Sequence, residues 1–156
     1  MRFHTALLLA IVGCSQRPSE AGPLGALAAS ELGPSPKCRR DDVVRFTYCQ
    51  FARGDTLVTA IVDTTNMVQS ITRRWRPDNG VAAFSHVRDS LSRHWGAGVP
   101  CEKDSDVSFG AGRAWVHRPL VTELRFGGEE GADQLAMTQR IAPAPHCSGS
   151  ATAPPA

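Results

Sequence analysis

The chain has 156 residues, 42% of them hydrophobic, and a formal net charge of +2. That length holds one domain with a modest core. So small a charge excludes a dedicated nucleic-acid binder, which carries a strong basic excess, and no apolar run reaches the ~20 residues of a membrane-spanning helix.

The first element is the opening stretch MRFHTALLLAIVGCS. Arg2 supplies a cationic start, and Ala6 to Val12 form an uninterrupted apolar core. The run has the length of a secretory signal rather than a membrane span. It ends in Ile11-Val12-Gly13-Cys14: two branched apolar residues, a small residue and a cysteine. This ending resembles the lipobox of bacterial lipoproteins. The resemblance implies that the Cys14 thiol receives a diacylglycerol group, that residues 1–13 are removed, and that the new amine is acylated, typically with palmitate. A thiolate is the side-chain nucleophile suited to forming the thioether, and Gly13 leaves room around the bond to be cut. Several acyl chains make a lasting anchor where one does not. Ser15, rather than an aspartate, resembles lipoproteins sorted to the outer membrane of a host that has one.

Residues 14–37 are rich in Pro, Gly, Ala and Ser, with only a brief apolar recurrence from Leu24 to Leu32. They read as the lipidated cysteine followed by a flexible tether, with a reach of roughly 25–30 Å. Residues 143–156 have the same composition and read as a disordered tail. The folded body is expected over 38–142.

Five cysteines become four if Cys14 carries lipid: Cys38, Cys49, Cys101 and Cys147. An exported chain meets an oxidising compartment, so two disulfides are expected. Four cysteines allow three connectivities. Cys38–Cys49, close in sequence, and Cys101–Cys147, pinning the tail, are favoured. No C-x-x-C pair is present, so a zinc site has little support.

Within the body, Val44, Phe46 and Tyr48 alternate with Arg45, Thr47 and Cys49 as in a half-buried strand. Arg53-Gly54-Asp55 marks a turn. Leu57 to Asp63 is β-branched and apolar, as in a central strand. A turn at Thr64-Thr65-Asn66 leads to a strand over Met67 to Trp75. Asp78 or Asn79 then caps a helix whose Phe84, Val87, Leu91 and Trp95 form one apolar stripe, stopped by Gly96. Strands follow at Ala114–Val116, Leu120–Phe126 and Leu135–Ile141, with Pro119 breaking the first from the second. No internal sequence repeat is evident. The expected fold is α+β: one antiparallel sheet of five to six strands, in the order βββ-α-ββ(β), with a single helix on one face.

Candidate chemistry is sparse. His86 and His94 share the helix but stand about 12 Å apart along its axis, too far for one metal. Asp89, Ser90 and His94 have the residue types of a nucleophilic triad, without the G-x-S-x-G elbow. Gly110-Ala111-Gly112-Arg113 precedes a strand, not a helix, and so lacks the setting of a phosphate loop. Glu102, Asp104 and Asp106, and Glu129, Glu130 and Asp133, are acidic loop clusters without EF-hand spacing. The most suggestive surface feature is Arg73-Arg74-Trp75-Arg76. Arginine grips phosphate bidentately, and an aromatic neighbour stacks or enters a headgroup layer.

These observations favour a membrane-anchored envelope lipoprotein whose small disulfide-braced domain is a non-catalytic binding or assembly module. Its expected partners are the membrane, through the lipid, and an envelope protein or anionic glycolipid; no cofactor or metal is expected. The alternative is a small exported hydrolase or ligand-binding enzyme with a dispersed site, drawing on His86, His94, His117, Asp63 and Glu123. Their convergence in space is what that alternative requires.

Overall fold

The structure is a computed structural model that describes residues 18–101, 109–127 and 134–141. The chain runs helix, four strands, helix, four strands. Helix α1 spans Gly25–Glu31, and strands β1 to β4 span Lys37–Asp41, Phe46–Arg53, Thr56–Val62 and Val68–Trp75. Helix α2 spans Gly80–Trp95, and strands β5 to β8 span Val99–Pro100, Phe109–His117, Leu120–Gly127 and Leu135–Ile141. The eight strands form one antiparallel sheet in the order β1-β2-β3-β4-β8-β7-β6-β5. Each half is a meander preceded by a helix, and the last strands of the two halves pair at the centre. The sequence carries no repeat, yet the architecture does.

The α+β class therefore holds, with more strands than the five or six expected and a second helix. The additions are α1, β1 and the two-residue β5. Strand β1 is mostly charged and solvent-exposed, so it gives no hydrophobic alternation to read. Strand β5 is too short to carry a period.

Helix α1 departs from the flexible-tether reading of residues 14–37 over the part that is described, residues 18–37. Leu24, Ala28 and Leu32 recur every four residues, and all three are buried. They pack on Cys49, Val58, Ala60, Val62, Val68 and Ile71 of the first meander. The Ser19 amide also donates to the Asn66 carbonyl at 3.0 Å, fastening the chain to the β3–β4 turn. The Pro and Gly residues around this stripe bound a short helix rather than a tether.

Helix α2 follows the expected pattern. The Asn79 side-chain oxygen accepts from the Ala82 amide at 3.0 Å, and Gly96, at φ 84°, turns the chain out of the helix. Its stripe of Phe84, Val87, Leu91 and Trp95 packs over Trp115, Leu124 and Leu135. Trp115 is 1% exposed, and its indole N–H donates to the Gly96 carbonyl at 2.9 Å. The second apolar core is thus tied to the end of the helix that covers it.

Both helices lie on the same face of the sheet. Ile71 belongs to the core under α1, and Trp75 packs against the core under α2. Four residues apart on one strand, they point the same way. Between them on that face stands Arg73, bonded to Glu31 of α1 and to Gln139 of β8. The core is therefore two apolar clusters with a polar bridge between them.

Strand β2 corrects one face assignment. Cys49, not Phe46 or Tyr48, is the buried residue, at 1% exposure. It is held by the disulfide to Cys38 on β1, its cross-strand neighbour. A disulfide sulfur is a compact apolar group and sits comfortably in a core.

Candidate functional site

Strand alternation decides what becomes of the arginine-rich stretch. Arg73 and Trp75 point to the helical face. Arg73 is 14% exposed in its ion pair with Glu31, and Trp75 packs beside α2. Arg74 points to the opposite face and is exposed, and Arg76 follows the strand, also exposed. The patch expected as one surface is therefore divided: half of it holds the fold, and half faces outward.

Among the described residues, no helix lies on that opposite face. The strand register defines its rows. One runs Gln50, Thr59, Thr72, Thr138, Glu123 and Ala114. The Thr72 and Thr138 hydroxyls are 3.0 Å apart, and the Gln50 amide reaches the Thr59 hydroxyl at 3.5 Å. The face divides into two regions. Over β6 and β7, Ala114, Val121 and Glu123 are buried. There Glu123 accepts from Arg140 at 2.7 Å and from Arg125 at 3.3 Å. Two guanidiniums around one carboxylate make a charge-assisted cluster, which suits a structural role.

Over β1 to β4 the face is more open. Lys37, Arg39, Gln50, Ala52 and Arg74 are exposed, with Tyr48, Leu57, Thr59, Ile61 and Thr72 half-buried between them. Lys37, Cys38, Arg39, Asp41, Tyr48 and Gln50 line an open depression of about 410 Å³. Two cations, Lys37 and Arg39, stand in it with one carboxylate, Asp41. Its Oδ1 accepts from the Val43 and Val44 amides at 3.0 and 3.3 Å. The region is thus a shallow cationic surface with hydroxyl and amide groups, a phenol ring and some apolar area. Such a surface suits an extended anionic partner better than a small enclosed ligand. Sequence reading missed it because Lys37 and Arg39 fall on a strand without hydrophobic periodicity. Only the register places them beside Tyr48 and Gln50.

The residues that a hydrolytic site would draw on are dispersed. His86 and His94 are exposed on α2. His117 lies on the helical face, stacked on Trp95 with ring centroids 4.0 Å apart; its Nε2 is 2.8 Å from the Thr122 hydroxyl. Burial lowers its pKa below the ordinary 6.5. Glu123 is on the opposite face. Asp63 organises the β3–β4 turn, accepting from the Thr65 hydroxyl and amide, the Met67 amide and the Gln69 side chain. Its pKa is lowered, chiefly by the Thr65 hydroxyl, with the other donors helping against burial. Asp89 is engaged by Arg88. Gly112 lies on β6, in a strand rather than a phosphate loop.

Among the described residues, no group of three His, Cys, Asp or Glu side chains is placed to hold a metal, and no helix is long and apolar enough to cross a membrane. The acidic clusters at 102–106 and 129–133 lie outside the described residues, as do Cys14 and Cys147. Cys101 is itself disulfide-bonded, but the expected Cys101–Cys147 pairing involves a residue outside those described. No family model, curated protein or solved structure matches this chain.

Proposed function

We propose that this chain is a membrane-anchored envelope lipoprotein whose domain is a non-catalytic binding module. In this reading Cys14 carries the lipid and residues 1–13 are discarded. In a host with an outer membrane, Ser15 directs the protein there. The open face of β1 to β4 is the binding surface, and its partner is an acidic envelope protein. One observation carries the binding part: Lys37, Arg39 and Arg74 share a single open face, the first two beside Tyr48 and Gln50 and Arg74 on β4 beside Leu57. The lipobox-like ending at Cys14 supports the location. The dispersal of the histidines and carboxylates leaves the hydrolase reading without a constellation among the described residues.

The test is co-purification of the full-length protein from membranes in mild detergent, beside Cys14→Ser and Arg74→Glu variants. An acidic envelope protein retained by the native chain and lost with Arg74→Glu supports the reading. Retention of a phosphorylated glycolipid in place of a protein replaces the partner while keeping the face. Equal retention by the native and Arg74→Glu proteins refutes the face. Native protein in the soluble fraction refutes the anchor.

A further inference from the structure

The fold places the first described residues of the chain at one end of the sheet. The Ser19 amide is bonded to Asn66 in the β3–β4 turn, and Cys14 precedes Ser19 by only five residues. Five residues of fully extended chain span at most about 17 Å. The 23-residue tether expected from composition is therefore cut to a few residues by the packing of α1. A lipid on Cys14 holds this end of the sheet close to the bilayer.

The same end carries Val43, the most exposed large apolar side chain among the described residues. Thr47 pairs with Val62, so the β1–β2 turn stands at the same end as the β3–β4 turn. It lies two strand spacings away, about 10 Å. Val43 and Val44 at its tip are 92% and 48% exposed. Their amides are already satisfied by the Asp41 carboxylate at 3.0 and 3.3 Å. Arg45, in left-handed backbone at φ 57°, closes the tip. Across the sheet, Leu120 pairs with Ile141, which places the exposed Arg118-Pro119 turn at this end as well.

We infer that this end of the sheet docks on the bilayer surface, with Val43 and Val44 entering the headgroup–acyl boundary beside the lipid on Cys14. This inference rests on the lipoprotein reading. Two valines are too few to hold a domain on a membrane alone, but an anchor at most about 17 Å of chain from Ser19, itself about 10 Å from the tip, makes the second contact effectively intramolecular. Entry of backbone into an apolar phase demands satisfied N–H groups, and the Asp41 carboxylate satisfies two at the tip. The basic Arg45 and Arg118 keep their charged ends in the headgroup layer while their stems cover apolar surface. Acidic groups also stand at this end: Asp42, paired with Arg40 at 3.2 Å, and Asp63 in its turn. Attraction to anionic lipid is therefore not what drives the contact. The docking stands the strands away from the membrane and leaves the Lys37–Arg39–Arg74 face open to the side.

The test uses the full-length lipidated protein in vesicles of phosphatidylethanolamine and phosphatidylglycerol, some carrying bromine high on the acyl chain. Val43→Trp reports on the tip. Asp55→Trp reports on the turn at the opposite end, where Arg53 pairs with Thr56. Emission is read as the difference from wild type. The expected result is loss of at least half of the added emission for Val43→Trp and none for Asp55→Trp. Equal quenching at both ends, or none at either while the protein floats with the vesicles, overturns the docking and leaves the anchor standing. Wild-type protein that fails to float refutes the anchor itself. Amide exchange on the unsubstituted protein is the second measurement. Slower exchange at residues 44–45 on vesicles than for soluble Cys14→Ser supports docking, and unchanged exchange overturns it.

Discussion

Arg73 of β4 and Glu31 of α1 meet at 3.0 Å, joining the N-terminal helix to the middle of the sheet. Both partners are partly buried, at 14% and 30% side-chain exposure, and the guanidinium also donates to Gln139 at 3.0 Å. Removing Arg73 leaves a partly buried carboxylate and an amide oxygen without their donor. Arg73→Ala is expected to destabilise the domain by about 2 kcal/mol. Glu31→Gln, which keeps an acceptor, should cost less. A urea-denaturation cycle over the two single variants and the double variant should give a coupling of ~1 kcal/mol. Additive losses would mean the pair contributes nothing of its own.

Leu32 closes the four-residue stripe of α1 and is 2% exposed. If α1 is part of the core, Leu32→Ala should cost about 2–4 kcal/mol. If residues 18–36 were a tether, it would cost nothing measurable. The midpoint of thermal or urea unfolding separates these outcomes directly. Deletion of the residues before 37 should likewise expose Val58, Ala60 and Ile71 and reduce the soluble yield.

The elements with a strong period were legible in the sequence. Phe84 to Trp95 announced α2, and the alternations at 120–126 and 135–141 announced two neighbouring strands. Other features were hidden for identifiable reasons. Leu24, Ala28 and Leu32 carry the right spacing for a helix face, but the prolines and glycines around them resemble a linker. The burial of Cys49 reverses the apparent face of β2, because an adjacent phenylalanine and tyrosine look more hydrophobic than a disulfide. The cationic face is a product of register: Lys37, Gln50, Thr59 and Thr72 are neighbours only once four strands are aligned.

The Cys38–Cys49 disulfide joins an edge strand to the core across a sequence separation of 11. Closing a loop of that size contributes about 2–3 kcal/mol, chiefly by restricting the unfolded chain. Cys38→Ser with Cys49→Ala should lower stability by that order and release β1 first, since its side chains are mostly exposed. Non-reduced peptide mapping should recover the Cys38–Cys49 pair. Faster amide exchange confined to residues 37–41 in the double variant would confirm that the bond holds the edge. Uniform loosening would assign it to the core instead.

Acid should act on the domain in two separate ranges. His117 has a pKa below its ordinary 6.5 because burial disfavours the charged ring. The unfolded chain therefore takes up that proton first as pH falls, so stability declines from about 6.5 downward to the folded value. Asp63 has a pKa below 3.8, chiefly through the Thr65 hydroxyl. Its contribution is present above 3.8 and disappears as pH falls through the lower folded value. His117→Phe keeps an aromatic ring against Trp95 and removes the titration. Its urea midpoint should be flatter than wild type between pH 7 and 5, with a constant offset for the lost Thr122 contact. Asp63→Asn should leave that upper range unchanged and flatten the curve only below pH 4. If His117→Phe keeps the full decline between pH 7 and 5, the upper limb belongs to another group.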